Sequence, residues 1–202
     1  MQLSKTLSLL AAATITLAQN RLTFISQDEL HRTIYFTPSD GYKWLDPVRV
    51  GAWREVSTSV PQGWVGNYYS ITDGKHNKPG MLGEVTFQGW EGKTYFDVSA
   101  IVDEKDHNGV KVMYPAVAKE PRSGCEKFPC PNAYYEPNDK QTKVTHECHI
   151  VTTLGGTKDD SDSDSDSDSD WDSDSDSDGE HKKRSVDENY PREAVLGLWP
   201  QI

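Results

Sequence analysis

The sequence has no stretch in which apolar residues recur every three to four positions for long enough to predict a helix. It has no basic stripe, so a nucleic-acid partner is not indicated. Beyond the N-terminus no segment is apolar enough to predict a membrane anchor. Only three of the 202 residues are cysteine, too few for a domain held together mainly by disulfides. These absences leave one β-rich domain with appendages as the expected organisation.

Apolar residues are also scarce, at 35% of the chain, and the mean hydropathy is -0.73. The deficit is local, because residues 159–180 contain eleven Asp and one Glu but no Lys or Arg. The rest of the chain carries 20 acidic and 21 basic residues, so the net charge of -11 belongs to this Ser-Asp segment. Such a composition predicts a disordered acidic linker that solubilises the protein. The alternatives are weak, cooperative Ca²⁺ capture or an array of modified serines.

The N-terminus has the composition of a secretory signal peptide. One lysine precedes an apolar stretch at residues 7–17, and Ala18 follows at a suitable cleavage point. The prediction is that residues 1–18 are removed, that the mature chain begins near Gln19, and that the protein is extracellular or lies in the cell wall.

The last segment, residues 181–202, begins with a basic cluster that includes Lys183 and Arg184. A processing protease can reach basic pairs that lie between unfolded flanks. Cleavage after Arg184 would release residues 185–202. The alternative is a basic patch that folds back on the acidic linker.

Residues 19–158 consist of short β-branched and aromatic runs separated by Gly, Pro, Asn and Asp. This pattern is typical of an all-β sandwich or barrel. The predicted strands are 22–26, 32–37, 53–60, 64–72, 110–114 and 143–152, together with a hairpin within residues 83–103.

The hairpin carries acids on both arms. If its loop is Gly89–Gly92, then Glu84 lies opposite Asp97 and Val85 opposite Phe96. This register sorts the apolar residues onto one face and the polar residues onto the other, whereas a slip of one residue would mix them. It brings the two acidic side chains to within about 5 Å at their Cβ atoms.

Two carboxyl groups at this distance do not titrate independently, and at least one pKa should rise. A separation of about 5 Å also suits retaining glycoside hydrolysis, with Glu84 and Asp97 as catalytic residues. Trp90 and Tyr95 would offer ring faces for stacking on sugars. The alternative is a solvated polar face, with repulsion relieved by Lys93 or by a bound cation.

Three further residues near the hairpin are candidates for the same site. Asp103 joins the acid pair only if the second strand ends or bulges near residues 100–102, and Asp106 is an equal candidate. His107 could act as a base or a ligand. No cofactor is indicated, except that a divalent cation could bind at the acidic linker or be held by Glu84, Asp97, Asp103 and His107. A weaker metal hypothesis places copper at His146, Cys148 and His149.

The cysteines lie in a chain predicted to enter an oxidising compartment. Cys125 and Cys130 bracket a short loop and form the expected disulfide, which leaves Cys148 free or paired between molecules. The alternative bridge joins Cys130 to Cys148.

The order and spacing of several segments resemble the thaumatin-like proteins, above all a small secreted fungal branch with members known as antigens. The segments are LTFIS, RTIYFT, VPQGWVGNYYSITDG, GEVTF, TYFDVS and CPNAYYEPND with Cys148, within residues 22–151. The resemblance implies a β-sandwich with an acidic cleft, in some relatives a site of β-1,3-glucan binding or weak glucanase activity. The cleft acids correspond to Glu84, Asp97 and Asp139, with another at Asp103 or Asp106. The family's cleft arginine and most of its cysteines have no counterpart here.

Three functions follow as hypotheses. The first is a secreted antigen that binds cell-wall β-1,3-glucan through the acidic cleft. The second is a hydrolase that uses Glu84 and Asp97 on glucan. The third is a metal-dependent nuclease, against which the acidic linker argues because it repels a polyanionic substrate.

Overall fold

The computed structural model describes residues 19–156, and these form eleven strands and one short 3₁₀ turn at Trp90–Gly92. Within this range no helix is long and apolar enough to cross a membrane. The strands are β1 Asn20–Ser26, β2 Arg32–Pro38, β3 Val48–Val50, β4 Glu55–Val60, β5 Val65–Thr72, β6 Leu82–Thr86, β7 Thr94–Ser99, β8 Val110–Pro115, β9 Ser123–Gly124, β10 Lys143–Thr145 and β11 His149–Leu154.

The strands form two sheets, which confirms the all-β prediction. One sheet has the order β4-β1-β11-β8-β9 and the other the order β10-β7-β6-β5-β2-β3. All named pairs are antiparallel except β1 and β11, which are parallel. Strands β1 and β11 are adjacent although they lie at opposite ends of the described chain.

One strand prediction was wrong in its extent. The run 143–152 divides into β10 and β11, which belong to different sheets. The chain crosses between the sheets at residues 146–148, where the Glu147 carboxylate accepts hydrogen bonds from the backbone N–H groups of Val117 and Ala118 at 2.8 Å. The short strands β3 and β9 were not predicted, because two or three residues carry too little periodicity to recognise.

An aromatic core fills the space between the sheets. Phe24 of one sheet meets Tyr68 of the other edge to face, with ring centroids 5.1 Å apart, and Phe36 meets Trp64 at 6.3 Å. Gly83 makes room for this packing, because a Cβ atom there would lie 2.5 Å from the Tyr68 ring. The buried aromatic and aliphatic side chains contribute most of the stabilisation, at roughly 1.5–3 kcal/mol for each large apolar side chain.

Arg32 is a fully buried charge at the start of β2. Its guanidinium donates hydrogen bonds to both oxygens of the Asp28 carboxylate, at 2.7 and 2.5 Å. It also donates to Ser26 Oγ at 3.0 Å and to the Asn108 carbonyl at 2.8 Å. Arg32 therefore ties the end of β1 to the start of β2 and to the loop before β8.

We expect Arg32→Met to lower the free energy of unfolding by about 3–5 kcal/mol, because it leaves the partly buried Asp28 carboxylate without its counter-charge. Urea unfolding followed by tryptophan fluorescence measures the change. The matched control is Arg49→Met, which breaks the exposed ion pair with Asp73 and should cost less than about 1 kcal/mol. Equal losses in the two variants would contradict the structural role of Arg32.

Candidate functional site

The acid pair lies where the sequence predicted it. In the β6–β7 pairing Glu84 is opposite Asp97, Val85 is opposite Phe96 and Thr86 is opposite Tyr95. Val85 and Phe96 belong to the core between the sheets. Glu84 and Asp97 therefore project from the outer face of the six-stranded sheet, and the predicted register is confirmed.

The pair belongs to a polar row that crosses the outer face from strand to strand. Asn67 of β5 lies directly opposite Glu84 on the side away from Asp97, and Thr37 of β2 lies opposite Asn67. At the other end of the row, the Thr142 hydroxyl lies 3.4 Å from Asp97 Oδ2. Register alone places these side chains together, because residues directly opposite in a sheet share a face.

The acid pair is buried, which the sequence did not predict. Glu84 is 6% exposed and Asp97 is 2% exposed. The chain around Tyr134 covers the edge of β7 at this point: its N–H donates to the Val98 carbonyl at 2.9 Å, and its carbonyl accepts from Ala100 N–H at 2.7 Å. The Tyr134 hydroxyl then bonds to the Thr142 hydroxyl at 2.7 Å. A segment about 40 residues further along the chain thus lies beside the acid pair at the edge of β7.

Burial raises the pKa of Asp97 well above its usual range, and the adjacent Glu84 charge raises it further. Burial also raises the pKa of Glu84, although the hydrogen bond with Asp97 opposes that shift. The two carboxyl groups therefore do not titrate independently, because the charge on one disfavours ionisation of the other. The predicted rise in pKa is confirmed in direction. The expected open groove is not present, because side chains this buried do not meet solvent.

Asp103 and Asp106 do not join the acid pair. Strand β7 ends at Ser99, and the chain then turns towards a separate surface pocket of about 210 Å³ at the end of β5. This pocket has neither Glu84 nor Asp97 in its wall. Its lining consists of Ser70, Ile71, Thr72, Lys75, His76, Lys78, Pro79, Gly80, Asp103, Asp106 and Asn108.

Asp106 has a structural role beside this pocket. Its carboxylate accepts hydrogen bonds from the N–H groups of Met81 at 3.0 Å and Asn108 at 3.1 Å. A Cβ atom at Gly80 or Gly109 would lie 2.0 or 2.1 Å from Asp106 Oδ2, so both glycines are needed for the carboxylate to fit. Burial raises the pKa of Asp106. The Asp106 carboxylate therefore links the segment before β6 to the loop before β8 through these hydrogen bonds.

Asp139 closes a turn of its own backbone. It accepts hydrogen bonds from the N–H groups of Tyr135 at 2.8 Å and Glu136 at 3.1 Å, and these bonds lower its pKa. A carboxylate that closes its own turn in this way has its hydrogen-bonding capacity directed at the backbone. The structure therefore gives Asp139 a turn-closing contact, and its predicted place in the acidic site stays a prediction.

The structure does not bring together the side chains of either predicted metal set. Among residues 19–156 no three His, Cys, Asp or Glu side chains come together as a metal site. Asp103 and His107 lie in the loop after β7, away from Glu84 and Asp97. His146 lies in the turn between β10 and β11, and the His149 ring bonds to Thr23 Oγ1 at 2.7 Å, so the copper set is not brought together either.

The aromatic residues of the hairpin are placed as expected. Trp90 lies at the tip with 65% of its surface exposed, and the Tyr95 hydroxyl donates to its carbonyl oxygen at 3.3 Å. The Lys93 ammonium lies 5.9 Å from the centre of the Trp90 ring and pairs with Glu91. Three further exposed rings were not predicted from the sequence: Tyr42 at 43%, Trp44 at 60% and Trp53 at 50%. The exposure of Tyr42 and Trp44 could have been predicted from the sequence, because these two aromatic residues stand among turn-forming residues and therefore have no strand that would pack them into the core.

The disulfide prediction is confirmed: Cys125 is bonded to Cys130, and within the described residues Cys148 is free. The alternative bridge between Cys130 and Cys148 is wrong. Several predictions lie outside residues 19–156 and stay predictions: the signal peptide at 1–18, the acidic linker at 159–180, and the processing site at Lys183 and Arg184.

Comparison with known proteins identifies one clear relative. The chain is 50% identical over 134 residues to the antigenic protein SchS21 of Stachybotrys chartarum, which covers 66% of this chain and 93% of that protein. No protein-family model matches the sequence. The crystal structure of the protein elicitor MoHrip2 from Magnaporthe oryzae is a distant likeness, with a TM-score of 0.48 and 12% identity over 67% of this chain and 98% of that chain.

The raised pKa values of Glu84 and Asp97 predict how stability depends on pH. The native pair keeps protons that the unfolded chain releases above about pH 4, so its contribution is complete below that pH and is lost as the pH rises towards the native pKa values. We therefore expect Asp97→Asn, which cannot ionise, to gain stability relative to the wild type between pH 4 and pH 8. Urea unfolding in buffer containing EDTA measures this difference. A constant difference across the range would contradict the raised pKa values.

Proposed function

Because the chain belongs to the family of the antigenic protein SchS21, we propose that it is a secreted antigen that binds cell-wall β-1,3-glucan. We extend this to a thaumatin-like β-sandwich, on the segments quoted from the sequence and on the two-sheet architecture. The signal-peptide composition of residues 1–18 supports secretion, and so does the Cys125–Cys130 disulfide.

The exposed ring of Trp90 is the observation that carries the binding proposal. Tryptophan is a large apolar side chain, and at the tip of the hairpin 65% of its surface is exposed, so the ring is accessible to a ligand and is not part of the core. Its backbone is held by the Tyr95 hydroxyl, and the loop closes with a Gly89 N–H bond to the Lys93 carbonyl at 2.8 Å. A ring fixed in this way stacks on the apolar face of a pyranose with little loss of conformational entropy.

Binding is favoured over hydrolysis by the burial of the acid pair. A glycosidase needs one carboxyl group in contact with the glycosidic oxygen and another beside the anomeric carbon. At 6% and 2% exposure, Glu84 and Asp97 cannot reach a polymer on the surface. We therefore place the glucan at the aromatic tip and not at the acids, and we keep the hydrolase, whether a weak glucanase or a nuclease, as the alternative function.

Trp90→Ala should reduce binding to insoluble β-1,3-glucan by about tenfold, which corresponds to about 1.4 kcal/mol of lost stacking. Co-sedimentation of the purified protein with the polysaccharide, over a range of concentrations, measures the affinity. The matched control is Trp53→Ala, whose ring is 50% exposed but whose backbone N–H donates to the Asp28 carbonyl in the connection after β1, outside the hairpin. Equal losses in the two variants, or no binding by the wild type, would contradict the proposal.

Assays of reducing-sugar release from laminarin, and of plasmid degradation with Mg²⁺, separate binding from hydrolysis. We expect neither activity. Turnover by the wild type that disappears in Glu84→Gln would instead establish the hydrolase.

A further inference from the structure

The outer face of the six-stranded sheet contains buried oxygen atoms that no hydrogen bond satisfies. Asn67 Oδ1, Asp97 Oδ1 and Ser99 Oγ are all buried without a partner. The three residues are 5%, 2% and 0% exposed. Each buried polar atom left unpaired costs about 1–3 kcal/mol, so a ligand that paired with all three of these atoms would stabilise this face.

The sheet register gathers these atoms around Glu84. Asn67 is directly opposite Glu84 on one side, and Asp97 is directly opposite it on the other. Ser99 lies two residues along β7 from Asp97 and thus on the same face. Since neighbouring strands are about 4.8 Å apart, side chains from β5, β6 and β7 can converge on one point above Glu84.

The two carboxyl groups also lack a paired cation. The ion pairs within residues 19–156 are Arg32–Asp28, Arg49–Asp73, Lys93–Glu91 and Arg122–Glu120, and none of them includes Glu84 or Asp97. Lys143 is near enough to act on Asp97 electrostatically. It lies opposite Phe96, however, and so projects from the other face of the sheet. Buried carboxylates are ordinarily paired with a cation or bound to a metal.

We propose that Glu84, Asp97 and Asn67, with Ser99 beside them, form a binding site for Ca²⁺. The available atoms are all oxygens, two of the side chains carry negative charge when ionised, and hard cations prefer such ligands. Ca²⁺ fits better than Mg²⁺, because it accepts bidentate carboxylates and irregular geometry whereas Mg²⁺ requires a near-ideal octahedron. The site joins three neighbouring strands, so the bound ion stabilises the sheet. It differs from the set predicted from sequence, because Asn67 takes the place of Asp103 and His107.

Thermal unfolding of the full chain, in EDTA and then in CaCl₂, tests the proposal. At a Ca²⁺ concentration one hundredfold above the dissociation constant, the wild-type Tm should rise by about 5–10 °C. Asp97→Asn and Asn67→Ala should each lose at least half of this rise. The second variant keeps both carboxyl groups, so the test does not depend on the folding of the first.

The matched control is Asp103→Asn, which removes a carboxylate from the separate pocket at the end of β5 and should keep the full rise in Tm. The acidic linker is present in every variant, so cations bound there contribute equally to all of them. The proposal is overturned if Ca²⁺ leaves the wild-type Tm unchanged, if Asp97→Asn and Asn67→Ala keep the whole rise, or if Mg²⁺ at the same concentration raises the Tm more than Ca²⁺. Loss of glucan binding in Trp90→Ala is a separate result, since Trp90 is not part of this site.

Discussion

Two neighbouring carboxyl groups that are buried away from water determine the electrostatics of the outer face of the six-stranded sheet. Glu84 and Asp97 are directly opposite each other, and neither can ionise fully without a compensating proton or cation. Both side chains are buried, and their neighbours are the chain at Tyr134 along the edge of β7, the Thr142 hydroxyl beside Asp97, and Asn67 on the far side of Glu84. The face is therefore a buried polar layer rather than a solvated surface.

Because the acid pair is buried, the molecule has three distinct regions: a core that stabilises the fold, a buried polar row, and an exposed hairpin tip. The core between the sheets and the Arg32–Asp28 ion pair hold the strands together. The polar row with Glu84 and Asp97 lies on the outer face of the six-stranded sheet, away from the core. It is too buried for a polymer to reach, but it can hold a proton or a small cation. The hairpin tip exposes Trp90 to solvent, where a large ligand can reach it. One hairpin thus carries a buried acid pair along its arms and an exposed tryptophan at its turn.

Local sequence patterns were sufficient for the hairpin register. Val85 and Phe96 alternate with Glu84 and Asp97, and because the side chains of a strand point alternately to its two faces, a slip of one residue would have exchanged core for acid. The Cys125–Cys130 bridge was likewise predictable, since the two residues are close in sequence. The division of residues 143–152 between two sheets was not predictable in this way, because the run is uniformly β-forming and the crossing depends on where Glu147 meets the backbone of Val117 and Ala118.

The sequence by itself determined the all-β class, the hairpin register that pairs Glu84 with Asp97, and the short-range disulfide. Each of these depends on residues a few positions apart, whose spacing is fixed by the geometry of the extended chain. Only the tertiary structure decided that the acid pair is buried, that Asp103 and Asp106 line a different pocket, and that Asn67 stands beside Glu84. These facts depend on which distant segments come to lie against a strand, and a strand's own residues do not specify its neighbours.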